Sequence, residues 1–171
     1  MTKDPLLATA RFLLATLIGL LSFAMVMLAI GVAAVLTVQR SSLMDKIAAA
    51  DLAPESYWTV LTCLVAIGAL LYLGLRFALQ LKLIVVSVDL GDPFVPENAQ
   101  RITRMAWCAL LIQFISILIK IAAASLGELS QGHDIAQGAT TGGFALALTL
   151  FILARVFHTG AQMREDLEGT V

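Results

Sequence analysis

The chain has 171 residues, of which 60% are hydrophobic and 13% charged, with a net charge of −1 and a mean hydropathy of +0.93. Soluble domains carry about 25% charged residues, so this composition excludes an ordinary water-soluble core. The near-neutral charge leaves no basic footprint for direct nucleic-acid binding. The expected class is all-α: one integral membrane domain over residues 1–171, with lipid as its solvent.

Four apolar runs carry that expectation: Phe12–Val38, Tyr57–Ile84, Met105–Leu126 and Ala139–Phe157. Each is long enough to cross a hydrocarbon core that needs roughly 20 helical residues. In lipid each segment must satisfy its own backbone hydrogen bonds, which selects helices. The alternating segments of about 10 residues that build a barrel are absent. The pattern predicts a four-helix bundle with helices over about 12–38, 57–88, 97–126 and 139–166.

The first run follows Lys3 and Arg11. It far exceeds the roughly 7–15 residues of a signal-peptide apolar region, so it is expected to remain as an anchor. It holds no charge, and Gly31 with Ala34 reads equally as a face for close helix approach or as small residues exposed to lipid. In the next segment Ser42-Leu-Met-Asp45 resembles a capping box. Residues 43–52 read either as a short helix on the outer membrane surface or as an ordinary helical linker, ended by Pro54. Tyr57 and Trp58 follow where an interfacial aromatic belt would place them.

The second run is overlong. Trp58 to Val88 as one helix would reach about 46 Å against a core of about 30 Å. Arg76, Gln80 and Lys82 mark its exit from lipid, so its end is expected to project into the cytoplasm or to tilt. Gly91-Asp92-Pro93 stops the helix, since glycine suits a left-handed cap and proline cannot continue the ladder. Pro96 fits a first helical position and Glu97 a positive helix end. A stiff elbow is thus predicted between the second and third helices.

The third run contains Gln113 and Lys120, seven residues apart and therefore on one face. A flexible loop with Gly127, Gly132 and Gly138 is expected before the fourth run. That run opens at Thr140-Thr141-Gly142-Gly143, closes at Arg155-Val-Phe-His158 and leads to a short acidic tail. Basic residues gather near the N-terminus, the elbow and the C-terminus, while the other two loops are basic-poor. The positive-inside rule then places both termini in the cytoplasm.

The residues that could do chemistry are few. The two histidines, His133 and His158, fall at opposite ends of the fourth run, which does not suit bis-histidine haem. No Cys/His spacing matches zinc. Cys63 and Cys108 differ by roughly 15 Å in depth, too far for a disulfide. The runs hold no carboxylate between their ends, where a proton-coupled pump would be expected to carry one. Ser116 and Lys120 stand one turn apart with no supporting motif for a nucleophile and its base. The expectation is therefore no enzyme, no cofactor and no metal. Gln113 and Lys120 form the candidate intramembrane polar site: interhelix hydrogen bonding is favoured for Gln113, and a structural role or pairing with a loop acid for Lys120. Asp92, Phe94, Glu97 and Asn98 in the elbow form the candidate partner-binding site. Asp92, Glu97 and Asn98 also have an alternative role, capping helices and pairing with Arg101 and Arg104, and that role is favoured for Asn98.

Two segments carry a family resemblance. Gly91-Asp-Pro-Phe-Val-Pro-Glu-Asn-Ala99 leads into Arg101-Ile-Thr-Arg-Met-Ala-Trp107, and Val156-Phe-His-Thr-Gly160 opens a tail that ends Glu168-Gly-Thr-Val171. With four spans in this order, the whole chain resembles the bacterial membrane family called domain of unknown function 2975. That family is typified by a G-x-P-F-x-x-E-N-A turn after the second span and an acidic tail ending in T-V. Gly169 departs from the family's usual tail. The family has no assigned activity, and many members are encoded beside a small helix-turn-helix regulator. The resemblance implies an inner-membrane signalling or interaction module that controls such a regulator through Gly91–Asn98 and the tail. Membrane lipids and a second copy of the chain are further expected partners. The alternative is a small transporter or channel subunit with a polar path at Gln113 and Lys120, and an assembly or lipid-packing role is a third.

Overall fold

The computed structural model describes residues 5–37, 41–42, 44–45, 56–91, 93–124 and 133–168. Four long helices account for nearly all of them: α1 (Pro5–Thr37), α2 (Ser56–Asp89), α3 (Pro96–Ala124) and α4 (His133–Glu168). Each contains a stretch long and apolar enough to cross a membrane: Leu7–Thr37, Ser56–Asp89, Pro96–Ala122 and Gly142–Asp166. The four-span, all-helical class follows from the apolar runs as expected.

The helix bounds differ from the sequence-based ones in instructive places. α1 is already helical at Pro5, the first described residue, because a single arginine does not interrupt a helix of Leu, Ala and Thr. α4 begins at His133, so residues 133–138 of the expected loop continue the helix. The rest of that loop and most of the expected surface helix over 43–52 lie outside the described residues. Hydroxyls within the apolar helices satisfy themselves locally. Thr16, Ser22, Thr37, Thr62 and Thr149 each donate to the carbonyl four residues back, which removes the cost of a bare hydroxyl in lipid.

The helices pack antiparallel and in chain order: α1 on α2, α2 on α3, α3 on α4. Among the described residues no comparable packing joins α1 to α4, so the expected bundle is an open array rather than a closed ring. Side-chain contacts fix the register. Arg11 is ion-paired with Asp89, and Leu28 and Leu21 lie over Gly68 and Gly74. Asn98 reaches Ser87, and Arg101 reaches the Leu83 carbonyl. Trp107 meets Phe151 and Phe114 meets Phe144, both edge-on. By these contacts the start of α1, the elbow and the last turns of α4 share one end of the array.

α1 contributes one seam. Leu14 is buried, and Ile18, Leu21, Met25, Leu28 and Val32 follow it at steps of three or four, all half-buried. Away from that seam Phe12 is 72% and Phe23 64% exposed, as a lipid-facing surface requires. The core lies further along the array. Ile102, Met105, Ala106 and Ala109 of α3 pack on Ala147, Leu150 and Ala154 of α4, flanked by Phe77, Leu81 and Ile84 of α2. Alanine dominates this interface because lipid gives apolar helices no hydrophobic reason to associate. Close backbone approach and dispersion must supply the attraction instead. Cys63 and Cys108 are free thiols.

Candidate functional site

The elbow is built from the residues between α2 and α3. At the end of α2 the Leu90 amide donates to the Val86 carbonyl at 3.1 Å and the Gly91 amide to the Val88 carbonyl at 3.0 Å. Gly91 has φ +85°, the left-handed conformation that ends a helix and that a Cβ penalises by roughly 1–2 kcal/mol. Pro93 and Pro96 then hold the chain stiff until α3 begins. The Asn98 amide donates to the Val95 carbonyl at 2.9 Å and closes the first turn.

Asn98 is the hub of this structure and is fully buried. Its Nδ2 donates to Ser87 Oγ at 2.6 Å and to the Pro93 carbonyl at 2.9 Å. Its Oδ1 accepts from Arg101 Nη1 at 2.7 Å. Ser87 Oγ in turn donates to the Ile84 carbonyl. One side chain therefore ties α2, the turn and α3 together and pairs with Arg101, a structural role of the kind favoured from sequence. An amide suits this position because it donates twice and accepts at once.

The other elbow candidates are placed differently. Phe94 is 43% exposed. Its ring packs on Phe157 with centroids 5.2 Å apart, and a Cβ on Gly160 would come within 3.1 Å of it. Phe94 thus clamps the elbow to α4 over Gly160, where a Cβ would press on the ring by a few tenths of an ångström. Beyond it opens a groove of about 440 Å³ lined by Phe94, Ile152, Arg155, Val156, Thr159 and Met163. Glu97 is exposed in the first turn of α3. Asp92 lies outside the described residues.

Gln113 and Lys120 sit on α3 toward its other end. Gln113 is buried, with Oε1 unpartnered, and its amide lies directly against Gly143 of α4. Lys120 is half-buried, two turns further along. The structure therefore brings Phe94 and Asn98 together with Arg101 in the elbow, and holds Gln113 apart from them between α3 and α4.

Sequence reasoning missed Ser87, Phe157, Gly160, Gly143 and the Arg11–Asp89 pair. A partial signal existed for Gly143. A polar side chain in one span and a glycine pair in the next are what a close polar helix contact needs.

The four apolar helices and their open, elbow-linked packing define a polytopic helical membrane protein. Within that class, residues 44–171 match the model of the family described as "Protein of unknown function (DUF2975)", and the chain belongs to that family. The match takes in α2, the elbow, α3 and α4 and leaves α1 outside it, so it is narrower than the whole-chain resemblance read from the motifs. No curated protein and no solved structure matches the chain.

Proposed function

We propose that this protein is a multi-pass protein of a bacterial cytoplasmic membrane, with both termini and the elbow in the cytoplasm. It acts as a signalling and interaction module that holds a helix-turn-helix regulator at its elbow end. Charge placement supports the orientation. Arg11, Arg76, Lys82, Arg101, Arg104, Arg155 and Arg164 lie toward the elbow end, whereas Lys120 lies toward the other. α2 has 34 residues, about 50 Å of helix against a core of about 30 Å, so its last turns extend past the lipid on the elbow side. No catalytic chemistry and no cofactor form part of this proposal.

The observation that carries it is the half-exposed Phe94 at the head of an open groove that continues along α4 to Met163. An aromatic ring fixed by its neighbours and open on one edge is a preorganised anchor for an apolar side chain of a partner. Met163 is 62% exposed, so Met163→Glu alters the groove without entering the core. The expected result is that a helix-turn-helix regulator is encoded beside this protein and co-purifies with the membrane-inserted parent. Met163→Glu and Phe94→Ser are each expected to lower that recovery about tenfold or more, with membrane insertion unchanged. A regulator that stays soluble beside the parent protein, or binds both variants equally, contradicts the proposal.

The transport reading draws its support from Gln113, whose buried Oε1 has no partner among the described residues. A water or a passing solute would satisfy that acceptor.

A further inference from the structure

Beyond the elbow, a second surface has a chemistry of its own. Arg76 on α2 and Arg104 on α3 are both exposed. They are the charged groups met first along α2 and α3 when each apolar stretch is followed toward the elbow end. The register set by Arg101 on the Leu83 carbonyl brings Cys108 level with Arg76, since seven residues along α3 match seven back along α2. Arg104 is one turn from Cys108 on the same side of α3. Arg76 and Arg104 therefore stand about one helical turn apart along the outer surface of the α2–α3 pair.

Neither has a carboxylate partner among the described residues. Arg76 is not turned freely outward. Its guanidinium carbon stands 6.0 Å from the centroid of the Tyr72 ring, one turn nearer the middle of the span. Trp107, beside Arg104 on α3, is 54% exposed and held edge-on by Phe151. Two cationic side chains at the lipid boundary attract anionic headgroups. Planar guanidinium groups match phosphate oxygens in geometry as well as charge, and an interfacial tryptophan packs beside glycerol and upper acyl groups.

We propose that Arg76 and Arg104 form a binding site for the headgroup phosphate of an anionic phospholipid, with its acyl chain lying along Trp107 and Leu111. The ligand is a lipid and not free phosphate, because the site faces the bilayer and its floor is aromatic and aliphatic.

The chain has two tryptophans, so Trp58→Phe leaves Trp107 as the sole reporter. The full-length protein is placed in nanodiscs of phosphatidylcholine containing equal fractions of bromine-labelled phosphatidylglycerol or bromine-labelled phosphatidylcholine, and quenching of Trp107 is compared. The expected preference for phosphatidylglycerol is at least about fivefold, the factor one arginine contributes near an anionic surface. It falls to about one in Arg76→Gln/Arg104→Gln. It survives in Arg76→Lys/Arg104→Lys at reduced size, and in Lys82→Gln, which removes a charge two turns away and about 120° round the helix. Should the double glutamine variant not fold, Arg104→Gln alone, at an exposed position, is expected to lose most of the preference. Equal quenching by the two lipids in the parent, a preference retained without the arginines, or its removal by millimolar inorganic phosphate would each overturn the site.

Discussion

Asn98→Ala is expected to destabilise the protein by about 3 kcal/mol, the sum of two neutral hydrogen bonds and one to a charged group. The side chain is fully buried, and its three bonds reach Ser87, Pro93 and Arg101. Alanine leaves the Pro93 carbonyl unmet and the Arg101 guanidinium with only the long contact to the Leu83 carbonyl, at 3.5 Å. The elbow then loses the tie between α2 and α3. The measurement is thermal unfolding of the detergent-solubilised protein, together with amide hydrogen exchange across Val88–Ala99. A lower midpoint and faster exchange at the elbow are expected. Asn98→Asp separates the contributions: it keeps the acceptor for Arg101 but loses both donations, to Ser87 and to Pro93, and sets an acceptor against the Pro93 carbonyl, so the elbow is destabilised even with the Arg101 pair kept. An unchanged midpoint in Asn98→Ala would show that the elbow is held by its prolines alone.

Gly143→Ala is the second large effect. A Cβ there falls inside the Gln113 amide, so the side chain must leave its place or the helices must separate. Overpacking of this kind costs roughly 1–3 kcal/mol. Gln113→Ala alone removes a buried acceptor that has no partner among the described residues but leaves a void where the amide lay, so its cost is expected to fall below the roughly 2–5 kcal/mol of a large apolar truncation. The combined Gly143→Ala/Gln113→Ala chain is then more stable than Gly143→Ala, since the methyl fills space the amide has vacated. This coupling between neighbours is read as non-additive shifts in unfolding midpoint. Additive shifts would mean that the two residues do not share the contact.

The fold was legible where lipid imposes a one-dimensional rule. About twenty apolar residues make a span whatever they pack against, so four spans could be read directly, the first as Phe12–Val38 where the structure has Leu7–Thr37. Packing order was not legible in the same way. Leucine at a seam and leucine facing lipid are the same residue, and α1 illustrates it: Leu14 is buried while Leu13 is 61% exposed. An open array and a closed bundle therefore share one sequence pattern. The start of α1 was also misplaced, because Arg11 resembles a flanking charge until its long-range partner Asp89 is known.

The elbow was legible as local chemistry. Gly91 permits the left-handed cap while Pro93 and Pro96 restrict the backbone, all in ways a sequence reveals, and Asn98 behind them suits a structural role. What a sequence cannot supply is the reach of a side chain to another helix. Ser87 is eleven residues from Asn98, and Gly160 lies on α4, yet they decide why Asn98 is buried and why Phe94 stands half-open. The elbow motif thus divides into two tasks. Asn98 holds the turn together, and Phe94 presents a face beyond it.

The most direct measurement of the account is which side of the membrane the elbow faces. In a Cys63→Ser/Cys108→Ser background, Glu97→Cys reports the elbow and Ser42→Cys the opposite end. Both are read with a membrane-impermeant maleimide on intact cells. The account predicts labelling of Ser42→Cys in intact cells and of Glu97→Cys only after the membrane is opened. Labelling of Glu97→Cys in intact cells would place the elbow outside, beyond the reach of any cytoplasmic regulator, and would contradict it.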